Sequence, residues 1–400
     1  MPQPPTLTAT QFLAPIPPEE FFRTYWEKRS LVVSRNQPGF YDAVLTLADL
    51  DQHFQSDQVP AQYLRMVSKG EEIPASKWAK FEHFENGSAL EVMVLEKLLA
   101  LYAGGATIVV NRINGSLPPM IEFCAALARE WDLHSTQANL YLTPPNAQGF
   151  AAHFDRHCVF ILQVHGEKTW RLYEHGSHLP VECKPNLFKR VTEAGKLQQE
   201  LVLRPGDLLY IPRGLVHEAC TSDSASLHIT LGLFPKYAFN LLAGLGNAAM
   251  QVAELRQGVA FGSGCETSRQ ALGKQMAQWL AGIKIADLPE ACRAEIVAKH
   301  AQSPQQRFSD MVQAPLITPT SLIARRPEVV YTCARQGDQL LITVRDQSIT
   351  APGIAEAALA WMSRKEPFTP SELPVLLLPK RKVSLVSELV KAGLLRIEKL

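Results

Sequence analysis

The chain has no apolar run that approaches the roughly 18 residues a membrane-spanning helix requires. Its first residues, Met1-Pro2-Gln3-Pro4-Pro5, have no basic patch followed by an apolar stretch, so no export signal is expected and the chain reads as cytoplasmic. An excess of charge of either sign is missing too. Lys and Arg total 40 against 39 Asp and Glu in 400 residues, and the net charge of +1 gives no whole-chain reason to expect nucleic acid or an anionic membrane as partner. The seven cysteines (Cys124, Cys158, Cys183, Cys220, Cys265, Cys292 and Cys333) are odd in number, widely spaced and without a CxxC pair. A disulfide frame or a thiolate zinc site is therefore not expected; free, mostly buried thiols are. Internal repeats and low-complexity stretches are also lacking. What is present is ordinary for a globular chain: 46% hydrophobic and 20% charged residues, at a length that suits two to three domains.

The N-terminal third is mixed. Pro17-Pro18-Glu19-Glu20-Phe21-Phe22 opens a helix, with proline and acids in its first turn. Leu31-Val32-Val33 reads as a short buried strand, Leu45 to Phe54 as a helix capped by Thr46, and Ile121 to Trp131 as a further helix. From Asn139 the texture changes to β-formers cut by turn residues at short intervals. Asn139–Leu142, Val159–Val164, Trp170–Tyr173, Leu201–Leu203, Leu208–Ile211 and Leu227–Phe234 read as strands. Arg204-Pro205-Gly206-Asp207 carries the proline–glycine centre of a type II turn. Many short strands with close turns predict a sandwich or barrel. After Pro235 the pattern is helical: Ala238 to Leu255, a stretch with Leu272, Met276 and Leu280 four apart, and Pro289 to His300. Ser303–Gln306 and Ala314–Pro319 read as linker. A compact α+β segment then follows, with a strand at Leu340–Val344, helices at Ile354–Met362 and Val383–Val390, and a closing strand at Leu394–Ile397.

The chemistry-bearing feature is His153-Phe154-Asp155 with a later His217. On a strand, residues two apart face the same side, about 6.6 Å between Cα atoms, so both side chains reach one metal. His217 follows the bend at Pro212-Arg213-Gly214, from which it can swing back to the first strand. Two imidazoles and one carboxylate make the facial triad of non-haem Fe(II) oxygenases, with positions left open. A His-x-Asp pair alone occurs often without a metal. The neighbouring His157, His165, His175 and His178 have ordinary packed or solvated readings, and His157 is too far along an extended strand to share an ion with His153. Lys168, just after a turn, is either a solvated lysine or a point charge for an anionic cosubstrate.

The stretches Asn139 to Phe150, Ala152 to Asp155, Phe160 to Tyr173, Pro205 to Gly214 with His217, and Tyr25-Trp26-Glu27-Lys28-Arg29-Ser30-Leu31 closely resemble the jumonji-C ribosomal oxygenases, in order, over about half the chain. The resemblance implies a mainly β catalytic core over 1–235, a double-stranded β-helix (jelly-roll or cupin-like) barrel with flanking helices. It also implies an all-α dimerisation region over 236–320, hence a homodimer, and a winged-helix-like α+β domain over 321–400. The implied activity is an Fe(II)- and 2-oxoglutarate-dependent dioxygenase that uses O2 to hydroxylate an arginine or histidine side chain of a protein, a ribosomal protein first. Carried over, His153, Asp155 and His217 would hold iron. Lys168 would hold the distal carboxylate of 2-oxoglutarate. Asn139 and Thr230 would line the cosubstrate pocket, and Tyr141 and Arg156 the substrate side. Arg156 is a departure, since the family often has a second acid there. The basic residue puts the substrate, not the metal, in question.

Three other readings stand beside this one. The same chemistry could act on another polypeptide, such as a ribosomally made peptide precursor, or demethylate a methyl-lysine. A cupin isomerase or binding module would use a further His or Glu ligand. A nucleic-acid-binding wing would use the Val383–Val390 helix behind Lys380, Arg381 and Lys382. Residues 321–400 carry 12 Lys and Arg against 8 Asp and Glu, which is thin for phosphate binding, and nucleic acid is not expected.

Overall fold

A computed structural model of the chain describes residues 7–55, 59–181, 193–235, 237–239, 245, 249, 252–258, 266–282, 307–326, 329, 331–344, 347–362 and 367–400. Contacts divide the chain into two units, Met1–Pro235 and Lys236–Leu400.

In the first unit five helices precede or interrupt the sheets: α1 (Ala9–Leu13), α2 (Pro18–Thr24), α3 (Leu47–Phe54), α4 (Leu95–Ala103) and α5 (Pro118–Glu130). Their starts are written in the sequence. Thr46 caps α3, its hydroxyl accepting the Asp49 N–H while the Asp49 carboxylate accepts the Thr46 N–H. Pro18 opens α2, with Glu19 and Glu20 at its positive end. The strands are β1 (Leu31–Val33), β2 (Leu64–Ser68), β3 (Glu71–Ile73), β4 (Ala79–His83), β5 (Ala89–Met93), β6 (Thr107–Val110), β7 (Ser135–Thr143), β8 (Cys158–His165), β9 (Lys168–His175), β10 (Leu197–Leu203), β11 (Leu208–Ile211), β12 (Leu215–Cys220) and β13 (Ser226–Phe234).

An eight-stranded sheet runs β1-β11-β8-β13-β7-β6-β2-β3, a three-stranded sheet runs β10-β9-β12, and β4 pairs with β5. All pairings within these sheets are antiparallel. Strand alternation sorts the side chains. Cys158, Phe160 and Leu162 of β8, with Leu208 and Tyr210 of β11, pack outward under the helices against Phe12, Phe21 and Phe123. Val159 and Ile161, with Leu209 and Ile211, turn to the other face and meet Trp170 and Leu172 of β9 and Leu203 of β10. The second cluster closes the two sheets on each other, and each large apolar side chain fully buried there contributes roughly 1.5–3 kcal/mol. The core is thus mainly β, a closed sandwich with helices on one flank.

The structure differs from the sequence reading in several places. β2 to β6 and α4 were not expected, because these strands are short and β4 and β5 are largely exposed, which blurs the apolar alternation. The bend at Pro212-Arg213-Gly214 leads into β12, a strand paired with β9 that the sequence reading did not assign. His153 and Asp155 do not lie on a regular strand. Only a single bridge, His153 to His217, pairs this segment. The type II turn stands: Gly206 takes φ +94°, and the Asp207 N–H donates to the Arg204 carbonyl at 2.9 Å.

The second unit has its own core. β14 (Leu322–Arg325) pairs with β18 (Leu395–Lys399), and β15 (Tyr331–Gln336), β16 (Gln339–Val344) and β17 (Gln347–Pro352) form a meander. Helices Ala355–Met362 and Pro379–Lys391 pack on these strands through Leu359, Met362, Val386 and Leu389. Ala314, read as linker, is buried in this core and its carbonyl accepts the Ser387 hydroxyl at 3.0 Å. The stretch with Leu272, Met276 and Leu280 is a helix, Glu266–Gly282. Most of Ala238 to Leu255, and all of Pro289 to His300 and Ser303–Gln306, lie outside the described residues. No described helix is long and apolar enough to cross a membrane. Lys382 is tied down, its ammonium donating to the Leu373 and Ser371 carbonyls at 2.6 and 3.2 Å.

Candidate metal centre

His153 and His217 face each other across the isolated bridge. The His153 N–H donates to the His217 carbonyl at 3.0 Å, and the His217 N–H returns a bond to the His153 carbonyl at 2.8 Å. Residues directly opposite in such a pair put their side chains on one face, and the two ring centroids are 4.6 Å apart. A register shift in the β12–β9 ladder falls between Leu215 and His217, a bulge that re-aims the chain where His217 begins to pair. Asp155 is fixed from the other side: the Gly214 N–H donates to its carbonyl at 2.9 Å. One ligand-type atom from each of His153, Asp155 and His217 lies within 4.8 Å of the others, and His217 Nε2 is 3.7 Å from Asp155 Oδ2.

The ring nitrogens are sorted by backbone carbonyls, which only accept. His153 Nδ1 is 2.8 Å from the Ala151 carbonyl and His217 Nδ1 is 3.0 Å from the Leu215 carbonyl. Both rings therefore donate through Nδ1 and leave the Nε2 lone pair bare, the arrangement that metal-binding imidazoles adopt. Burial, joined by repulsion from His153, pulls His217 down to about 4 against the opposing pull of Asp155, so its ring is neutral at pH 7. Burial works against charge on Asp155, but His157, His217 and His153 outweigh it and hold the carboxyl below its ordinary range. Two bare imidazole nitrogens and one ionised carboxylate, without a thiolate, fit a divalent first-row metal.

The other expected residues fall into place around this cluster. Lys168 is the first residue of β9 and is 4% exposed, which removes the solvated-turn reading. Its ammonium donates to Thr143 Oγ1 at 2.8 Å, and burial pulls Lys168 down to about 7. Asn139, Tyr141 and Thr143 share one face of β7. On β13, Thr230 pairs with Asn139 and His228 with Tyr141. The Tyr141 hydroxyl meets the Asn139 and Thr230 side chains, and burial with the nearby Asp155 charge pushes it up to about 12. Asn139 Oδ1 also accepts the Arg112 N–H at 2.9 Å. Arg156 is half-buried beside Asp155. His157 packs its ring 4.6 Å from that of Phe234 and stays near enough to Asp155 to favour its charge, while His165, His175 and His178 are exposed as expected.

Three residues escaped the sequence reading: Thr143, Trp170 and His228. The rings of His228 and Tyr141 are parallel at 4.8 Å, and Trp170 meets His228 edge-on at 5.5 Å. Trp170 Nε1 and His228 Nδ1 are buried without a partner among the described residues. Alternation from Tyr141, Lys168 and Thr230 was the signal that would have found them.

A family model described as the JmjC domain matches residues 117–241, from α5 through β13. The chain carries a JmjC domain. All of His153, Asp155, Lys168 and His217 lie inside it. Ribosomal oxygenase 1 of Rattus norvegicus is 30% identical over 269 residues, covering 63% of this chain and 41% of that protein. The bifunctional lysine-specific demethylase and histidyl-hydroxylase NO66 of Aedes aegypti is 34% identical over 256 residues, covering 61% of this chain and 38% of that protein. The chain thus spans about two fifths of the length of these relatives. Among solved structures, E. coli ycfD is similar with a TM-score of 0.54 at 17% identity, covering 96% of this chain and 99% of that one. A structure described as the ribosomal oxygenase YcfD from Escherichia coli with cobalt and 2-oxoglutarate also has a TM-score of 0.54, at 17% identity and 95% and 98% coverage. At that identity the likeness is one of fold.

Proposed function

We propose that the chain is an Fe(II)- and 2-oxoglutarate-dependent dioxygenase that hydroxylates a side chain of a protein, with a histidine or arginine of a ribosomal protein as target. The observation that carries this reading is the pair of oriented imidazoles beside Asp155, with a buried lysine in the same JmjC domain.

His153 and His217 would bind iron through Nε2 and Asp155 through its carboxylate, leaving the remaining positions to cosubstrate and O2. When bound, iron with 2-oxoglutarate and O2 supplies oxidative decarboxylation coupled to insertion of oxygen into a C–H bond. Lys168 would hold the distal carboxylate, with Thr143 fixing its ammonium and Asn139, Thr230 and His228 lining the pocket. Tyr141 keeps its proton at neutral pH and donates rather than repels. The apolar floor built by Val159, Ile161 and Leu172 excludes water from that end of the barrel. Arg156, beside Asp155, meets the incoming substrate. No side chain is required as general acid or base.

The names of the relatives support a protein target, and NO66 names both histidyl hydroxylation and lysine demethylation. A homodimer through residues 236–320, a winged-helix-like role for 321–400 and a cytoplasmic setting complete the reading. Incubation with ribosomal proteins, Fe(II), ascorbate and 2-oxoglutarate, followed by mass spectrometry, decides it. A gain of about 16 Da on a ribosomal protein supports hydroxylation, a loss of about 14 Da from a methylated peptide supports demethylation, and neither mass change, with no 2-oxoglutarate consumed, contradicts both.

A further inference from the structure

A recess lies on the first unit, outside the metal cluster. It has a volume of about 420 Å³ and is bounded by β2, β5 and the segments beside them. Trp78 and Ala75 are among its apolar lining residues, and Gln62 and Asn111 among its polar ones. Its charged groups are Arg65, Glu72 and Glu91. Arg65 is spent on Glu72, at 2.7 Å. Glu91 is half-buried, and among the described residues no ion pair or hydrogen bond engages its carboxylate. The recess therefore carries one uncompensated negative charge beside apolar surface.

Arg65, at the edge of the recess, lies near the metal cluster. The Arg65 guanidinium lies over the Phe150 ring at 5.0 Å, and the Phe150 ring is 5.8 Å from the His153 ring. Arg65 and His153 are thus within about 11 Å. An extended polypeptide covers that distance in roughly three to four residues.

We propose that this recess binds a lysine or arginine side chain of the protein substrate, a few residues along the chain from the residue presented to the metal cluster. The inference rests on the hydroxylase reading for the identity of the occupant. An aliphatic stem with a cationic head matches an apolar lining of Trp78 and Ala75 ending at Glu91, since such side chains bury their methylenes and keep the charge at a polar rim. The Gln62 and Asn111 amides offer hydrogen bonds to a bound backbone. A negatively charged or purely apolar segment would leave Glu91 repelled or unpaired.

The test uses the full chain labelled with 5-fluorotryptophan, the Trp78 resonance being assigned with Trp78→Phe. The probes are the tripeptides acetyl-Gly-Arg-Gly-amide and its uncharged citrulline analogue. The arginine peptide should shift the Trp78 signal, the citrulline peptide should bind at least about fivefold more weakly, and Glu91→Gln should weaken arginine binding to the same degree. Glu91→Asp, which keeps the charge, should retain most of it. Equal binding of the two peptides, or full binding by Glu91→Gln, overturns the proposal. Uncoupled 2-oxoglutarate turnover by the same preparations reports on the metal cluster alone. It should be unchanged in Glu91→Gln, and its absence in the native chain sinks the hydroxylase reading without touching the peptide result.

Discussion

Lys168 buries its ammonium against the hydroxyl of Thr143, 2.8 Å away, and burial pulls its pKa down to about 7. Above that pH the ligand-free protein holds Lys168 mostly neutral. A bound distal carboxylate favours the ammonium form, so binding takes up protons. Calorimetry with 2-oxoglutarate and Mn(II), in buffers of different ionisation enthalpy, should show uptake approaching about one proton at pH 8 and almost none at pH 6. Affinity should fall as pH rises beyond 7, by up to about tenfold per unit. Lys168→Ala should lose both the affinity and the proton uptake while still binding Mn(II). A pH-independent affinity in the native chain would remove Lys168 from the site.

Asp207 is 2% exposed, and its carboxylate accepts the N–H groups of Arg35, Asn36 and Arg204 at 2.7 to 2.8 Å. It ties the segment after β1 to the turn before β11. Asp207→Ala leaves three donors without their charged acceptor and should cost about 3 kcal/mol or more of stability. Urea unfolding followed by tryptophan fluorescence measures it. A shift below about 1 kcal/mol would show that water replaces the carboxylate.

Gly214 adopts φ +86°, and a Cβ there would lie 2.0 Å from the Ser177 carbonyl oxygen. Its N–H holds the Asp155 backbone, and His217 follows three residues later. Gly214→Ala should therefore displace Asp155 and His217 together. We expect Mn(II) affinity to fall roughly 10- to 100-fold, as when groups that support metal ligands are lost. Calorimetry checks this, with circular dichroism as the control for folding; native affinity in a folded variant contradicts it.

How much of this was legible beforehand follows from which signals were local. Turn chemistry at Arg204-Pro205-Gly206-Asp207 and the Thr46 cap depend on neighbouring residues, and both stand. The apolar runs of β8 and β13 are unambiguous because both faces are covered. The cluster His153, Asp155 and His217 was found, but by an argument that does not hold as stated. Strand alternation was invoked, whereas the segment pairs through one bridge, and a bulge in β12 sets the geometry. Long-range register of that kind leaves no trace in spacing. Lys168, taken alone, looked more like a solvated turn lysine, and only the closing of the sandwich buries it. Thr143, Trp170 and His228 are ordinary strand residues until the two sheets face each other.

One metal ion held by His153, Asp155 and His217 is the centre of the proposed chemistry. Crystals grown anaerobically with Mn(II) and 2-oxoglutarate, and measured at the manganese absorption edge, test this directly. The predicted result is one anomalous peak at roughly 2.0–2.2 Å from Nε2 of both histidines and from an Asp155 oxygen, with the keto acid reaching Lys168. A peak bound elsewhere, or one already closed by a fourth protein ligand, would contradict it.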